Sequence, residues 1–168
     1  MSLFDKCLKN MAELTGLRLP RMRKIKGFIV KSVAPTYKYL LAAELYSRRE
    51  LRGDALLRSV RSLKDLESAY EIGIRHGDGE LERRALRLWI KRVEGILYDI
   101  RSFEVGIVVL FSSPLGTPVE GSLVERLIKV VENRSDAEWL LWYASLRHFS
   151  SAVSRAKEKI TFIRLLSG

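Results

Sequence analysis

The stretch ELERRALRLWIKRVEGILYDIRSFEVGIVVLF, residues 80–111, decides the fold class of this chain. Its apolar residues recur at helical spacing and form one broad face, as in an amphipathic helix that packs against a core. These residues are Leu81, Ala85, Leu88, Trp89, Val93, Ile96, Ile100 and Phe103. The spacing predicts one long central helix over residues 80–111, around which the rest of the chain is arranged.

Two helices are predicted directly before this stretch. The first begins after Pro35, a favourable residue for a helix start, and ends at Gly53. The second begins at Asp54, which can cap a helix, and its apolar face continues to Ile74. The loop HGDG at His76–Gly79 then separates it from the long helix.

Two more helices are predicted after the long one. A loop at Ser112–Pro118 precedes the first of them, and Ser135 or Asp136 caps the second, which continues to Ala156. The tail ITFIRLL alternates around β-branched residues, which predicts a strand or an extended segment over residues 160–168. We therefore expect an all-α, multi-helix bundle with an extended tail, in a single domain over residues 1–168.

The N-terminal region combines a short predicted helix with a basic connector. Ser2 can cap a helix that Gly16 stops, and residues 17–31 follow with Pro20 and Gly27 as breakers. The connector contains six basic residues and no acid: Arg18, Arg21, Arg23, Lys24, Lys26 and Lys31. Two interpretations remain open for it, a solvated connector and a nucleic-acid contact.

Composition places the chain among folded globular proteins, because 47% of its 168 residues are hydrophobic and 30% are charged. Its longest apolar stretch, Val105–Phe111, is far shorter than the roughly 20 residues of a membrane span, so no membrane contact is expected. Asp5 and Lys6 interrupt any apolar core of a secretory signal. We expect a cytoplasmic, nucleoid-associated protein.

The net charge of +10 favours acidic partners, either nucleic acid or an acidic protein face, although a solvated basic surface is the alternative. The chain also has no Gln and only two Asn, and Arg and Glu dominate its charged residues. That profile is typical of heat-adapted proteins and favours a thermophilic source.

Catalytic signatures are absent from the sequence. His76 and His148 directly follow an arginine, whereas helical RNases of the HEPN type have four to six residues between the Arg and the His. The run GDG at residues 77–79 lacks the Lys-Ser/Thr ending of a phosphate-binding loop. Cys7 is the single cysteine and has no neighbours at metal-ligand spacing. We predict a protein that is not an enzyme and needs no cofactor or metal.

The remaining candidates are binding residues. On the predicted long helix, basic residues gather opposite the apolar face: Arg83, Arg84, Arg87, Lys91 and Arg101. Nearby glutamates can offset part of this charge, so a solvated face is the alternative to a nucleic-acid or acidic-partner site. Arg92 falls on the apolar side and is expected to reach its edge or to pair with an acid.

Aromatic residues of the last predicted helix are candidates for a partner interface: Trp139, Trp142, Tyr143 and Phe149. Their helical spacing and flanking leucines equally favour packing within the core.

From Tyr39 onward the order of features resembles the helical domain of an archaeal GINS subunit of the Sld5/Psf type. The likeness lies in LLAAELYSRREL at 40–51, ERRALRLWIKRVEGILYDIRSFEVG at 82–106 and PLGTPVEGSLVERLIKVVENR at 114–134. The family's small β-domain is missing here or reduced to residues 160–166, and the N-terminal extension through Lys31 is not expected in the family. The resemblance implies a non-catalytic scaffold in DNA replication whose partners are other GINS-like subunits, the MCM helicase and a Cdc45/RecJ-like protein.

Two other assemblies fit the same size, charge and helical content. One is the small helical subunit of a CRISPR effector complex, with basic faces against the RNA or DNA backbone. The other is the accessory subunit of an archaeal primase, with its basic surface on template DNA.

Overall fold

A computed structural model describes residues 35–168, which form eight helices and no strand. The helices are α1 (Tyr37–Ser47), α2 (Gly53–Arg58), α3 (Leu63–Arg75), α4 (Gly79–Leu97), α5 (Phe103–Phe111), α6 (Pro118–Val130), α7 (Arg134–Leu146) and α8 (Ser150–Ser167). The prediction of an all-α, multi-helix bundle is therefore confirmed. The predicted N-terminal helix and the connector at 17–31 lie outside the described residues.

Helices α3 and α4 form a hairpin that dominates the first half of the fold. They approach closely at Gly73, where a Cβ atom would lie 2.7 Å from the backbone nitrogen of Glu82. Only a glycine permits two helix backbones to come this near. Leu66 of α3 and Val93 of α4 are fully buried in the resulting core.

The start of α1 is joined to the start of α3 through the buried carboxylate of Asp65. Thr36, the N-cap of α1, donates its backbone N–H and its hydroxyl to this carboxylate, each at 2.8 Å. The same carboxylate accepts from the backbone N–H of Arg61 and of Ser62. Ser62 in turn accepts from the N–H of Asp65, which completes a capping box.

The second half of the fold contains α5 to α8. Helix α6 packs on α5 beside Gly106, where a Cβ atom would meet the side chain of Leu127 at 2.3 Å. Helices α7 and α8 form a second hairpin, and α8 also packs along α6. The centre of this half contains Leu123, Leu127 and Leu140, which are fully buried.

The single long helix predicted over residues 80–111 is wrong, because the chain breaks between α4 and α5. Ile100 in the break is buried, and its carbonyl accepts two bonds from the Arg126 guanidinium of α6, at 2.8 and 3.0 Å. Ser102 then caps α5 by accepting from the N–H of Val105. A cation from a distant helix therefore stabilises the end of α4, which periodicity alone does not reveal.

Three other predicted boundaries are corrected. Helix α1 ends at Ser47 and not at Gly53, which instead begins α2. The helix predicted from Asp54 to Ile74 is two helices, because Ser62 starts a new one with its capping box. The N-cap of α7 is Asn133, which accepts from the N–H of Asp136, and not Ser135 or Asp136.

The last predicted helix is also divided, and the predicted extended tail is helical. The chain turns at Arg147–Phe149, where His148 has a φ of 58°, and α8 then continues to Ser167. Its buried residues follow helical spacing: Ala152, Ala156, Ile160 and Ile163. The tail is helical because this stripe extends into it and packs against the neighbouring helices.

Within residues 35–168, none of the helices has both the length and the apolar character required to cross a bilayer.

Candidate nucleic-acid interface

Three exposed cations form a row along α4. Arg83, Arg87 and Lys91 follow one another at intervals of four residues, so their side chains lie on one stripe of the helix. None of the three has an acidic partner within residues 35–168. This part of the predicted basic face is therefore present as an uncompensated row.

The other two basic residues predicted for this face behave differently. Arg84 forms an ion pair with Asp54 of α2 and lies 3.8 Å from the Glu80 carboxylate, so acids compensate its charge. Arg101 is exposed, but it lies in the break after α4 and not on the helix, so its predicted place on the row is wrong. The correction follows from the break, which changes the direction of the chain before Arg101.

Three further exposed cations lie close together where α4 meets the segment between α2 and α3. Arg92 of α4 donates to the backbone carbonyl of Arg61, which lies in the segment between α2 and α3, at 2.9 Å. Arg61 in turn donates to the carbonyl of Arg58 at 3.1 Å. All three side chains are exposed. Arg92 therefore reaches the edge of its face, as expected, but it binds a carbonyl and not an acid.

We name the row formed by Arg83, Arg87 and Lys91 the α4 basic surface. Arg58 and Arg61 were not predicted as binding residues, because they lie more than 20 residues from the α4 row and belong to no basic run. The predicted contacts in the connector, from Arg18 to Lys31, lie outside the described residues.

A cleft of about 580 Å³ opens at the C-terminal end of α4. Tyr98, α6 and the turn between α7 and α8 line it, and its cations are Arg126 and Lys129. Its one acid, Glu125, accepts from the Ser151 hydroxyl at 2.8 Å and pairs with Arg155 at 2.7 Å. The cleft therefore keeps a net positive charge.

The predicted aromatic interface divides between core and surface. Trp139 and Tyr143 are buried and stacked, with ring centroids 5.3 Å apart, so they belong to the core. Trp142 is 52% exposed, and Phe149 is half-buried and lines the cleft. The indole N–H of Trp139 is buried without a hydrogen-bond partner. Of these four residues, only Trp142 therefore presents a large aromatic surface to a partner.

The strongest ionic network lies inside the second half, around Glu120 of α6. Its fully buried carboxylate accepts two bonds from the Arg147 guanidinium, at 2.7 and 2.9 Å, one from the Tyr143 hydroxyl and one from the N–H of Gly116. Burial opposes ionisation of Glu120, but these donors outweigh it and lower its pKa. Every acceptor site faces a donor, which indicates a structural role.

The two histidines lie in separate places, each at the end of a helix. His76 packs edge-on against the ring of Tyr46, at 5.5 Å between centroids, and His148 forms the turn before α8. The described part of the chain contains no cluster of three or more side chains suited to hold a metal ion. The exposed cations on α4 and in the cleft are suited to bind an anionic partner.

Comparison with known proteins identifies no relative. No family, no curated protein and no solved structure matches the chain. The resemblance to a GINS subunit remains a prediction.

Proposed function

We propose that this protein is a non-catalytic assembly subunit that contacts nucleic-acid backbone through the α4 basic surface. The observation that carries the proposal is the uncompensated row formed by Arg83, Arg87 and Lys91. Cations placed in this way neutralise phosphates and release the counterions condensed on the nucleic acid.

The contrast with other surface cations supports a role for this row. Arg48 pairs with Glu44, Lys64 with Glu67 and Arg134 with Glu138, each within one turn of its own helix. Such exposed pairs are common on helical proteins and contribute little to stability. Within residues 35–168 the row on α4 has no corresponding ion pairs, so its charge is available to a polyanion.

A protein partner has its own candidate surface on α1. Tyr39 and Ala42 are buried on one side of this helix, while Tyr37, Leu40 and Leu41 are each at least half exposed on the other. A helix that is apolar on both sides is normally covered on both. Among assembly subunits, we propose that this protein is a GINS-like scaffold of the replication machinery, because of the resemblance from Tyr39 onward.

Salt-dependent binding of a DNA duplex to the full chain tests the nucleic-acid contact. The triple variant R83Q/R87Q/K91Q should bind more weakly and reduce the slope of log K against log salt by about 3. The matched control is R48Q/K64Q/R134Q. It also removes two arginines and one lysine, but these residues form ion pairs in the fold.

Equal slopes for the two triple variants would show that net charge alone drives binding and would refute the α4 contact. Unchanged binding in both variants would exclude the described surface altogether. Co-purification from the native cell tests the assembly: GINS-like subunits and helicase support the scaffold, whereas CRISPR proteins or primase would replace it.

A further inference from the structure

We infer that the cleft at the end of α4 binds one nucleotide of a single strand whose backbone follows the row on α4. The inference rests on the proposed function and deepens it, because it specifies single-stranded nucleic acid. It combines three observations: the direction of the row, the exposed ring at its end and the charge of the cleft beyond.

The row on α4 leads directly to the cleft. Tyr98 is the C-cap of α4 and retains helical dihedrals, so it lies on the same stripe as Arg83, Arg87 and Lys91. At 1.5 Å per residue, Lys91 and Tyr98 are about 10 Å apart along the helix axis. A strand that contacts the row therefore reaches the ring of Tyr98 within two or three nucleotides.

Tyr98 is suited to stack on a base. Its side chain is 75% exposed, although it lies at the wall of a concave site. Stacking of a base on an aromatic ring contributes about 1–3 kcal/mol and tolerates any base. A base within a duplex already has both faces stacked, so this contact favours an unpaired strand.

The opposite wall of the cleft supplies the charge for a phosphate. Lys129 is exposed at this wall and has no acidic partner within residues 35–168. Arg126 lies one turn away and uses Nε and one terminal nitrogen on the carbonyls of the α4–α5 break. Glu125 does not oppose an anion, because Arg155 compensates its charge. A volume of about 580 Å³ is adequate for one nucleotide.

The test uses the full chain with adenosine 5′-monophosphate, inorganic phosphate, and a single-stranded and a duplex oligonucleotide of equal length. We expect the mononucleotide to bind more tightly than phosphate, and the single strand more tightly than the duplex. Tyr98→Ala should weaken both preferred ligands about tenfold, the equivalent of about 1.4 kcal/mol of lost stacking. Lys129→Gln should weaken the mononucleotide and phosphate alike.

The matched control is Tyr37→Ala, since Tyr37 is 76% exposed and lies on α1, away from the cleft lining. Equal effects of the two tyrosine substitutions, or equal affinity for mononucleotide and phosphate, would overturn the inference. Failure of the α4 contact can be distinguished from failure of the cleft site. Loss of the salt-slope difference refutes the α4 contact, whereas single-strand binding that depends on the row but ignores Tyr98 refutes only the cleft.

Discussion

In residues 35–168, each half of the fold contains one fully buried carboxylate, and the two obtain their hydrogen bonds in different ways. Among these residues, Asp65 accepts from neutral donors only: the N–H and hydroxyl of Thr36 and the N–H groups of Arg61 and Ser62. Glu120 accepts from the Arg147 guanidinium, the Tyr143 hydroxyl and a single backbone N–H.

The difference teaches where each half obtains its specificity. Asp65 accepts from groups at two helix starts, of which Arg61 and Ser62 are local but Thr36 lies 29 residues away at the start of α1. Glu120 depends on side chains 23 and 27 residues further along the chain, which meet it only when α7 and the turn after it have docked on α6. Both carboxylates therefore join distant segments, Asp65 through neutral capping groups and Glu120 mainly through a cation.

The largest expected effect is that of Asp65→Ala. The substitution leaves several donors without an acceptor and removes the capping box of α3, so we expect the free energy of unfolding to fall by about 4 kcal/mol. Chemical denaturation measures this loss. Glu67→Ala on the same helix, which removes only the contact with Lys64, is the control and should cost less than about 1 kcal/mol. Similar losses for both variants would contradict the capping role.

The close helix contacts provide a second comparison of the halves. Gly73→Ala places a Cβ against the backbone of Glu82, which cannot move without separating α3 from α4, and should cost about 3 kcal/mol. Gly106→Ala instead meets the buried side chains of Leu127 and Ile100, which can shift more easily than a backbone, and should cost about 2 kcal/mol. Thermal unfolding of the two variants tests this order, and a larger loss for Gly106→Ala would reverse the comparison.

The third expected effect, and the one that should depend on pH, is that of Glu120→Gln. The amide cannot replace the charge opposite Arg147, so we expect a loss of about 2 kcal/mol at neutral pH. Because the folded-state pKa of Glu120 is lowered, its contribution is complete above the unfolded value of 4.5 and disappears as the pH falls through the folded value.

The difference in stability between wild type and Glu120→Gln should therefore shrink in acid. Denaturation at several pH values between neutrality and the acid range measures it. Glu125→Gln is the matched control, since its partner Arg155 is more than half exposed and the pair is weak. A difference that stays constant down to the lowest pH would show that Glu120 contributes shape and not charge.

Helix ends show which structural features could be predicted from the sequence. Gly77 has a φ of 66° and closes α3 with a bond from the N–H of Asp78 to the carbonyl of Gly73, and the loop there was predicted. Arg49 and His148 close α1 and α7 with the same bonding pattern and φ values of 62° and 58°. Neither was predicted, because these residues rarely adopt left-handed dihedrals and give no compositional signal.

The candidate site shows a similar division. The cations at Arg83, Arg87 and Lys91 were predicted from helical spacing, since one helix face depends only on local periodicity. Which cations remain uncompensated was not predictable, because the partner of Arg84 is Asp54 on another helix. The cleft was not predictable either, since its walls come together from three separate parts of the chain.

The sequence by itself determined the helical class, the apolar faces, the glycine-closed loop at residues 76–79 and the basic row on α4. These properties follow from interactions within a few residues, which dihedral preferences and side-chain periodicity control. The tertiary structure alone decided where the predicted long helices break, how α8 packs, and which charges stay exposed. Those outcomes depend on contacts such as Arg126 with Ile100 and Arg147 with Glu120, which join residues more than 20 positions apart.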